Sequence, residues 1–197
     1  MGFSMSWAAV RGDAPQVVHD ALALHGTGTR EEIPESNITG AELPDGWYMV
    51  VSNRDGLRLT EDAALERLSR VGEVVMCFVE EHVMCSFAAC WRDGQRVWSV
   101  YHDSGGRKGI EHLEVKGQPP ASFASIRDRL FAEQSTAGGK KAGVDYIFDI
   151  PVELAHSLTG YRHDQDIPLM PKDAFEVLVS TSTTSERRSW WRRLVGV

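Results

Sequence analysis

The chain has 197 residues, 42 % apolar and 25 % charged, with 21 Lys and Arg against 28 Asp and Glu for a net charge of −7. That is ample length for one buried core with an ordinary folded composition, and the acidic balance argues against a general nucleic-acid binder. No apolar run approaches the roughly 20 residues that cross a bilayer, and three unevenly spaced cysteines (Cys77, Cys85, Cys90) make neither a disulfide framework nor a zinc pattern.

The opening Met1-Gly2-Phe3-Ser4-Met5-Ser6-Trp7 lacks the basic start and apolar core of a signal peptide, so a cytoplasmic location with reduced thiols is expected. Residues 6–10 read as a first strand. Asp13-Ala14-Pro15-Gln16 then starts a helix, with Asp as cap, Pro in the first turn and an apolar face of Val17, Val18, Ala21, Leu22 and Leu24; Gly26 is placed to end it. Residues 27–46, rich in Gly, Thr, Pro and acids, read as a long loop or ragged edge. Residues 47–52 form the second strand, and Thr60 caps a second helix with Glu61 and Asp62 in its first turn and Leu65 and Leu68 inward.

The stretch from Glu73 to Asp103 is rich in Val, Cys, Phe, Trp and Tyr and turns at Asp93-Gly94, the strongest short-range hairpin signal in the chain. Residues 74–79 and 83–91 are two strands with Glu80-Glu81 between them, or one bulged strand. A two-residue turn at Asp93-Gly94 would pair Arg92 with Gln95, Ala89 with Trp98, Phe87 with Val100 and Cys85 with His102. Both faces of these strands are apolar, so a layer is expected on each side. Further on, residues 110–115 read as a strand. Pro119-Pro120 precede a helix with Phe123, Ile126 and Leu130 on one face, and 138–141 is a surface loop. Residues 144–148 form a strand, and Asp149-Ile150-Pro151 opens a helix that carries Leu154 and Leu158 and closes at Gly160. A last strand covers 175–180.

The fold class expected is α+β: a mainly antiparallel sheet with a central hairpin over 83–102 and three to four packed helices. Two strand–helix units at the start suggest a ferredoxin-like arrangement. The single domain is expected over 1–179, followed over 180–197 by a Ser/Thr linker and an Arg/Trp-rich tail. Glu186 to Val197 holds four Arg and one Glu, a charge of +3, so the preceding residues carry −10.

Two polar clusters are candidates for chemistry. Glu80-Glu81-His82 lies near His102-Asp103 in the expected hairpin, where His82 and Asp103 would be diagonal neighbours able to orient an imidazole for acid–base work. His156-Ser157 with Tyr161-Arg162-His163-Asp164-Gln165-Asp166 is the second. Both clusters also fit solvated turns. Nucleophile elbows, phosphate-binding glycine loops and metal-binding spacings are absent from the sequence, so no cofactor and no metal are expected. A thiol–imidazole pair of Cys85 with His102 is conceivable across the hairpin. Trp190 and Trp191 among paired arginines suit an anionic membrane surface, a partner groove, or a return onto the acidic body.

Several segments resemble a family of small bacterial cytosolic proteins of no established activity: residues 1–7, Asp45-Gly46-Trp47-Tyr48, Val79-Glu80-Glu81-His82-Val83-Met84, Trp91-Arg92-Asp93-Gly94 with Val97-Trp98-Ser99-Val100, and Asp145-Tyr146-Ile147-Phe148-Asp149-Ile150-Pro151. The resemblance spans roughly residues 1–166 and implies bacterial origin and a cytoplasmic location, with no catalytic residue to carry over.

These readings favour a non-catalytic protein-binding module with a basic partner, of the toxin-neutralising (immunity) kind. Its contacts would come from Glu31, Glu32, Glu80, Glu81, Asp164 and Asp166, with Trp190 and Trp191. The alternatives are a metal-dependent or acid–base hydrolase using His82 and Asp103, and a peripheral membrane adaptor acting through Trp190 and Trp191.

Overall fold

A computed structural model of the chain describes residues 2–12, 15–54, 57, 59–105, 108–168 and 170–181. The expected Ser/Thr linker from 182 onward and the Arg–Trp segment, with Trp190 and Trp191, lie outside the described residues.

In chain order the elements are β1 (Ser4–Arg11), α1 (Pro15–Leu22), β2 (Leu24–Glu31), β3 (Ile38–Glu42), β4 (Trp47–Asn53), α2 (Asp62–Leu68), β5 (Glu73–Glu80), β6 (Cys85–Arg92), β7 (Gln95–Asp103), β8 (Glu114–Gly117), α3 (Ser122–Thr136), a 3₁₀ turn (Gly139–Lys141), α4 (Asp149–Thr159) and β9 (Phe175–Ser180). The fold is mixed α+β. The strands form one nine-stranded antiparallel sheet in the order β2-β9-β3-β4-β1-β5-β6-β7-β8. That sheet is larger than the sequence suggested, and its order is not that of a four-stranded ferredoxin-like sheet.

The period-2 alternation of the central strands sorts their side chains onto two cores. Trp7 and Ala9 of β1, Met49 and Val51 of β4, Val75, Cys77 and Val79 of β5, and Ala88 and Cys90 of β6 face α3 and α4. There they pack against Phe123, Leu130, Ile150 and Leu154. Ala8, Val10, Tyr48, Val50, Val74, Met76, Phe78, Phe87 and Trp91 face the other way, onto Val18 and Leu22 of α1 and Leu65 and Leu68 of α2. Six successive buried positions in each of β1, β5 and β6 follow from this double covering.

Strands β6 and β7 meet at Asp93 and Gly94, whose φ values of 53° and 77° match the twist of a two-residue hairpin. The turn is tied to the end of α2, since Asp93 N donates to Ser69 O and Gly94 N to Ser69 Oγ. Arg92 pairs with Gln95, but a bulge between Cys90 and Trp91 leaves Val97 without a partner and shifts the rest of the register by one. Cys90 therefore faces Trp98, Phe87 faces Tyr101, and Cys85 faces Asp103 rather than His102. That removes the basis for a Cys85–His102 pair.

Other local expectations are corrected by long-range pairing. Residues 27–46 are not one long loop: β9 inserts between β2 and β3 and pairs with both, leaving β2 an irregular edge strand. Helix α1 ends at Ala23 (φ 54°), and Gly26 lies in β2. Helix α2 begins after Glu61, whose carbonyl accepts from Ala64 N and Leu65 N, so Thr60 is not its cap. The strand expected at 110–115 forms over Glu114–Gly117, preceded by a turn in which His112 N donates to Gly109 O. No strand forms over 144–148. Gln134 Oε1 accepts Tyr146 N (2.8 Å) and Asp145 Oδ1 accepts Phe148 N (3.1 Å), so side chains satisfy the amides a ladder would have used.

Among the described residues, no helix is long and apolar enough to cross a membrane.

Candidate functional site

The two polar clusters of the sequence converge at one end of the sheet. An open groove of about 510 Å³ is lined by Gly2, Glu81, His82, Met84, Phe148, Asp149, Arg162, His163 and Asp164. Three elements build it. Glu81, His82 and Met84 come from the four-residue turn between β5 and β6, closed by Met84 N donating to Glu81 O, with Met84 at φ 49°. Asp149 opens α4. Residues 162–164 arrive because Gly160, at φ 73°, stops α4 and sends the chain back along it. Across 11 residues α4 is about 16 Å long, so only such a return lets Arg162 reach Asp149 at its start.

Arg162 is the electrostatic hub. Its side chain is 11 % exposed and donates to Asp149 Oδ1 (2.9 Å) and Asp164 Oδ1 (2.6 Å), with Glu153 Oε1 at 3.8 Å. Glu153 is shared with Arg129, which also binds Glu133 at 2.9 Å. The two carboxylates at Arg162 are displaced in opposite directions. Burial raises Asp149 despite the pull of Arg162. For Asp164 burial acts upward too, but the hydrogen bond and the charge of Arg162 together outweigh it and the group is lowered.

His163 forms the floor. Its side chain is 2 % exposed. The ring meets Phe3 edge-on (centroids 4.8 Å) and lies tilted over Trp7 (5.9 Å). Burial holds its pKa below the ordinary 6.5 against the opposing pull of Asp164 and Glu81, so the imidazole is neutral near pH 7. Nε2 stands 3.6 Å from Glu81 Oε1, an electrostatic contact too long for a hydrogen bond. Neither ring nitrogen has a hydrogen-bond partner, nor has the neighbouring Trp7 Nε1. A neutral imidazole carries one donor and one acceptor, and leaving them unmet in a buried setting is costly.

Three carboxylates (Glu81, Asp149, Asp164) thus line the groove with one guanidinium, already engaged by two of them. Glu81 accepts from Phe3 N (2.9 Å), which holds the first residues against the groove. The arrangement suits a cationic, donor-rich group.

Of the residues singled out in the sequence, Glu81 and Asp164 line the groove. Glu80 stands behind it, taking Ser4 Oγ (2.5 Å) and the His82 imidazole through Nδ1 (2.8 Å). His82 is 63 % exposed and turns its Nδ1 to Glu80. Asp103 lies on β7, its amide directed at His112 Nδ1. Glu31 ends β2 and accepts from Glu35 N, Ser36 N and Ser36 Oγ in a local turn, with Glu32 exposed beside it. Both are far from the groove, with β9, β3 and β4 between β2 and β1. Asp166 is exposed two residues beyond the groove lining. In the sequence Asp149 stands out only as a helix opener and His163 only as one member of a polar run. A carboxylate in the first turn of a helix with Arg-His-Asp just past its glycine stop is the local signal for both.

A second buried polar cluster is structural. His102 is fully buried, with Nδ1 on His112 O (2.7 Å) and Nε2 on Asp145 Oδ2 (2.9 Å). Both ring nitrogens are thus engaged, one by a backbone carbonyl and one by the Asp145 carboxylate. Burial pushes Asp145 up, but hydrogen bonds from His102 and Ser104 outweigh it and hold the group below 3.8. This pair fastens the 145–148 turn, and with it the start of α4, to β7.

The cysteines are poor nucleophiles. Burial raises Cys77, pushes Cys85 to about 11 and Cys90 to about 12. Among the described residues no group of three or more His, Cys, Asp or Glu side chains is placed to hold a metal ion. No family model, curated protein or solved structure matches the chain.

Proposed function

We propose that this chain is a non-catalytic bacterial protein-binding module, of the toxin-neutralising kind, whose groove between the β5–β6 turn and α4 receives a basic segment of its partner. The observation that carries the reading is the buried, unpartnered His163 imidazole beside Glu81, in a groove where three carboxylates face one committed arginine. A lysine or arginine side chain is a donor only and would satisfy both the ring acceptor and Glu81. The net charge of −7 supports the same reading by favouring fast, oriented encounter with a basic protein.

Affinity purification of the tagged full chain from its native cells tests this, run beside Glu81→Gln and Asp164→Asn. The expected result is a stoichiometric basic protein retained by wild type and depleted at least tenfold with either variant. Recovery of no stoichiometric partner under several growth conditions, or equal recovery with both variants, refutes the reading. For the toxin-neutralising form, co-expression should relieve toxicity of the recovered partner.

A further inference from the structure

The groove and the Arg–Trp segment have complementary chemistry, and the topology sets them within reach of each other. The sheet register places the exit of β9 at the same end as the groove. Ser180 pairs with Leu24, two residues past Leu178 pairing with Gly26; on the other side of β9 Thr39 pairs with Val177. Ile38 faces Ser52, Ser52 faces Ser6, and Ser4 faces Glu80, next to Glu81. Ser180, Ile38, Ser52, Ser4 and Glu80 therefore all lie at one end of the sheet. Thr181 is fixed there by its amide and hydroxyl on Ala23 O. From β9 to β5, whose end leads into Glu81, is four strand steps, about 19 Å at the usual spacing of about 4.8 Å. The six residue steps from Thr181 to Arg187 reach about 20 Å when extended.

The chemistry fits as well. Glu186 to Val197 contains four arginines and two tryptophans and carries +3, against −10 on the preceding residues. Guanidinium and indole N–H groups are donors only, which is what the His163 acceptor nitrogen lacks and what Glu81 can take in addition to Phe3 N. Exposed Phe3 and Val83, 44 % and 42 % accessible, flank the groove residues Gly2 and His82 and offer apolar surface for indole rings.

We propose that residues 187–193 of this chain dock in the Glu81–His163–Asp164 groove of the same molecule, holding it until a partner's basic segment displaces them. The inference rests on the reading of the groove as an acceptor of basic segments. The cis arrangement gives the segment an effective concentration of about 1 mM, the order found for short linkers.

The test compares the full chain with one ending at Ser185, using a labelled synthetic peptide of residues 186–197 and fluorescence anisotropy. The peptide should bind the shortened chain, weaken at least tenfold with Glu81→Gln or Asp164→Asn, and weaken as salt is raised. For a dissociation constant of about 10 µM, a cis competitor near 1 mM lowers the apparent affinity of the full chain about 100-fold. Arg192→Glu with Arg193→Glu in the full chain, outside the described residues, should restore binding. Equal affinity of the full and shortened chains overturns the proposal, as does a full chain that sediments as a dimer through segment exchange. If an unrelated Arg-rich peptide binds the shortened chain while 186–197 does not, cis docking is refuted and the groove reading stands. If neither binds, both fall.

Discussion

His102→Leu tests the clasp that holds the groove's α4 wall in place. Leucine fills much of the imidazole volume but donates nothing, so it strands the Asp145 carboxylate (5 % exposed) and the His112 carbonyl. Leaving a buried carboxylate without its donor costs about 3–5 kcal/mol, because its charge is then uncompensated. A domain of 150–250 residues loses about 2–4 °C in Tm per kcal/mol, so Tm should fall by roughly 6–20 °C. The native pair involves a carboxyl held below 3.8, so its stabilisation is complete above that value and is lost as pH falls through the lowered folded value. In the variant the stranded carboxyl has lost that donor, takes up a proton at higher pH, and the gap to wild type narrows between pH 7 and pH 5. Urea denaturation of wild type, His102→Leu, Asp145→Asn and the double variant at both pH values gives the coupling directly, expected at about 2 kcal/mol or more. A single-variant cost under about 1 kcal/mol, or coupling near zero, would refute the account of His102 as the clasp between β7 and Asp145.

Gly40→Ala on β3 would place a methyl 2.1 Å from the Tyr48 hydroxyl, which itself holds buried His19 Nε2 at 2.5 Å. It should cost about 1–3 kcal/mol by overpacking, seen as a lower thermal midpoint, and a neutral result would show that Tyr48 can move aside. Burial holds His19, His112 and His163 below 6.5, so the unfolded chain takes up protons first. Stability is then complete above pH 6.5 and declines as pH falls below it; urea midpoints at pH 7.5 and 5.5 check this, and a higher midpoint at 5.5 contradicts it. With Cys77, Cys85 and Cys90 all raised, an aromatic disulfide reagent at pH 8 should react fully only after denaturant is added. Rapid reaction of any one thiol in the native chain would show that site to be open.

The legible parts of this chain are those whose signals are local. Asp93-Gly94 demands a hairpin because its two positive φ angles suit few other residues. The runs at 74–79 and 86–91 are apolar on both faces because a layer covers each side, and Gly160 ends α4 where the sequence places its stop. The legible share of the site is its polar clusters, Glu80-Glu81-His82 and Arg162-His163-Asp164, each visible as a run. What only tertiary structure decided is which strands pair and which clusters meet. Nothing around residues 27–46 announces that β9, some 140 residues later, will pair with them, and a single bulge at Cys90 moves the partners of β7 from Trp98 onward by one. Long-range hydrogen bonding and a one-residue register choice are global minima of the whole sheet. The same holds for His163, whose buried, unpartnered ring exists only because α4 folds its exit back onto Phe3, Trp7 and Glu81.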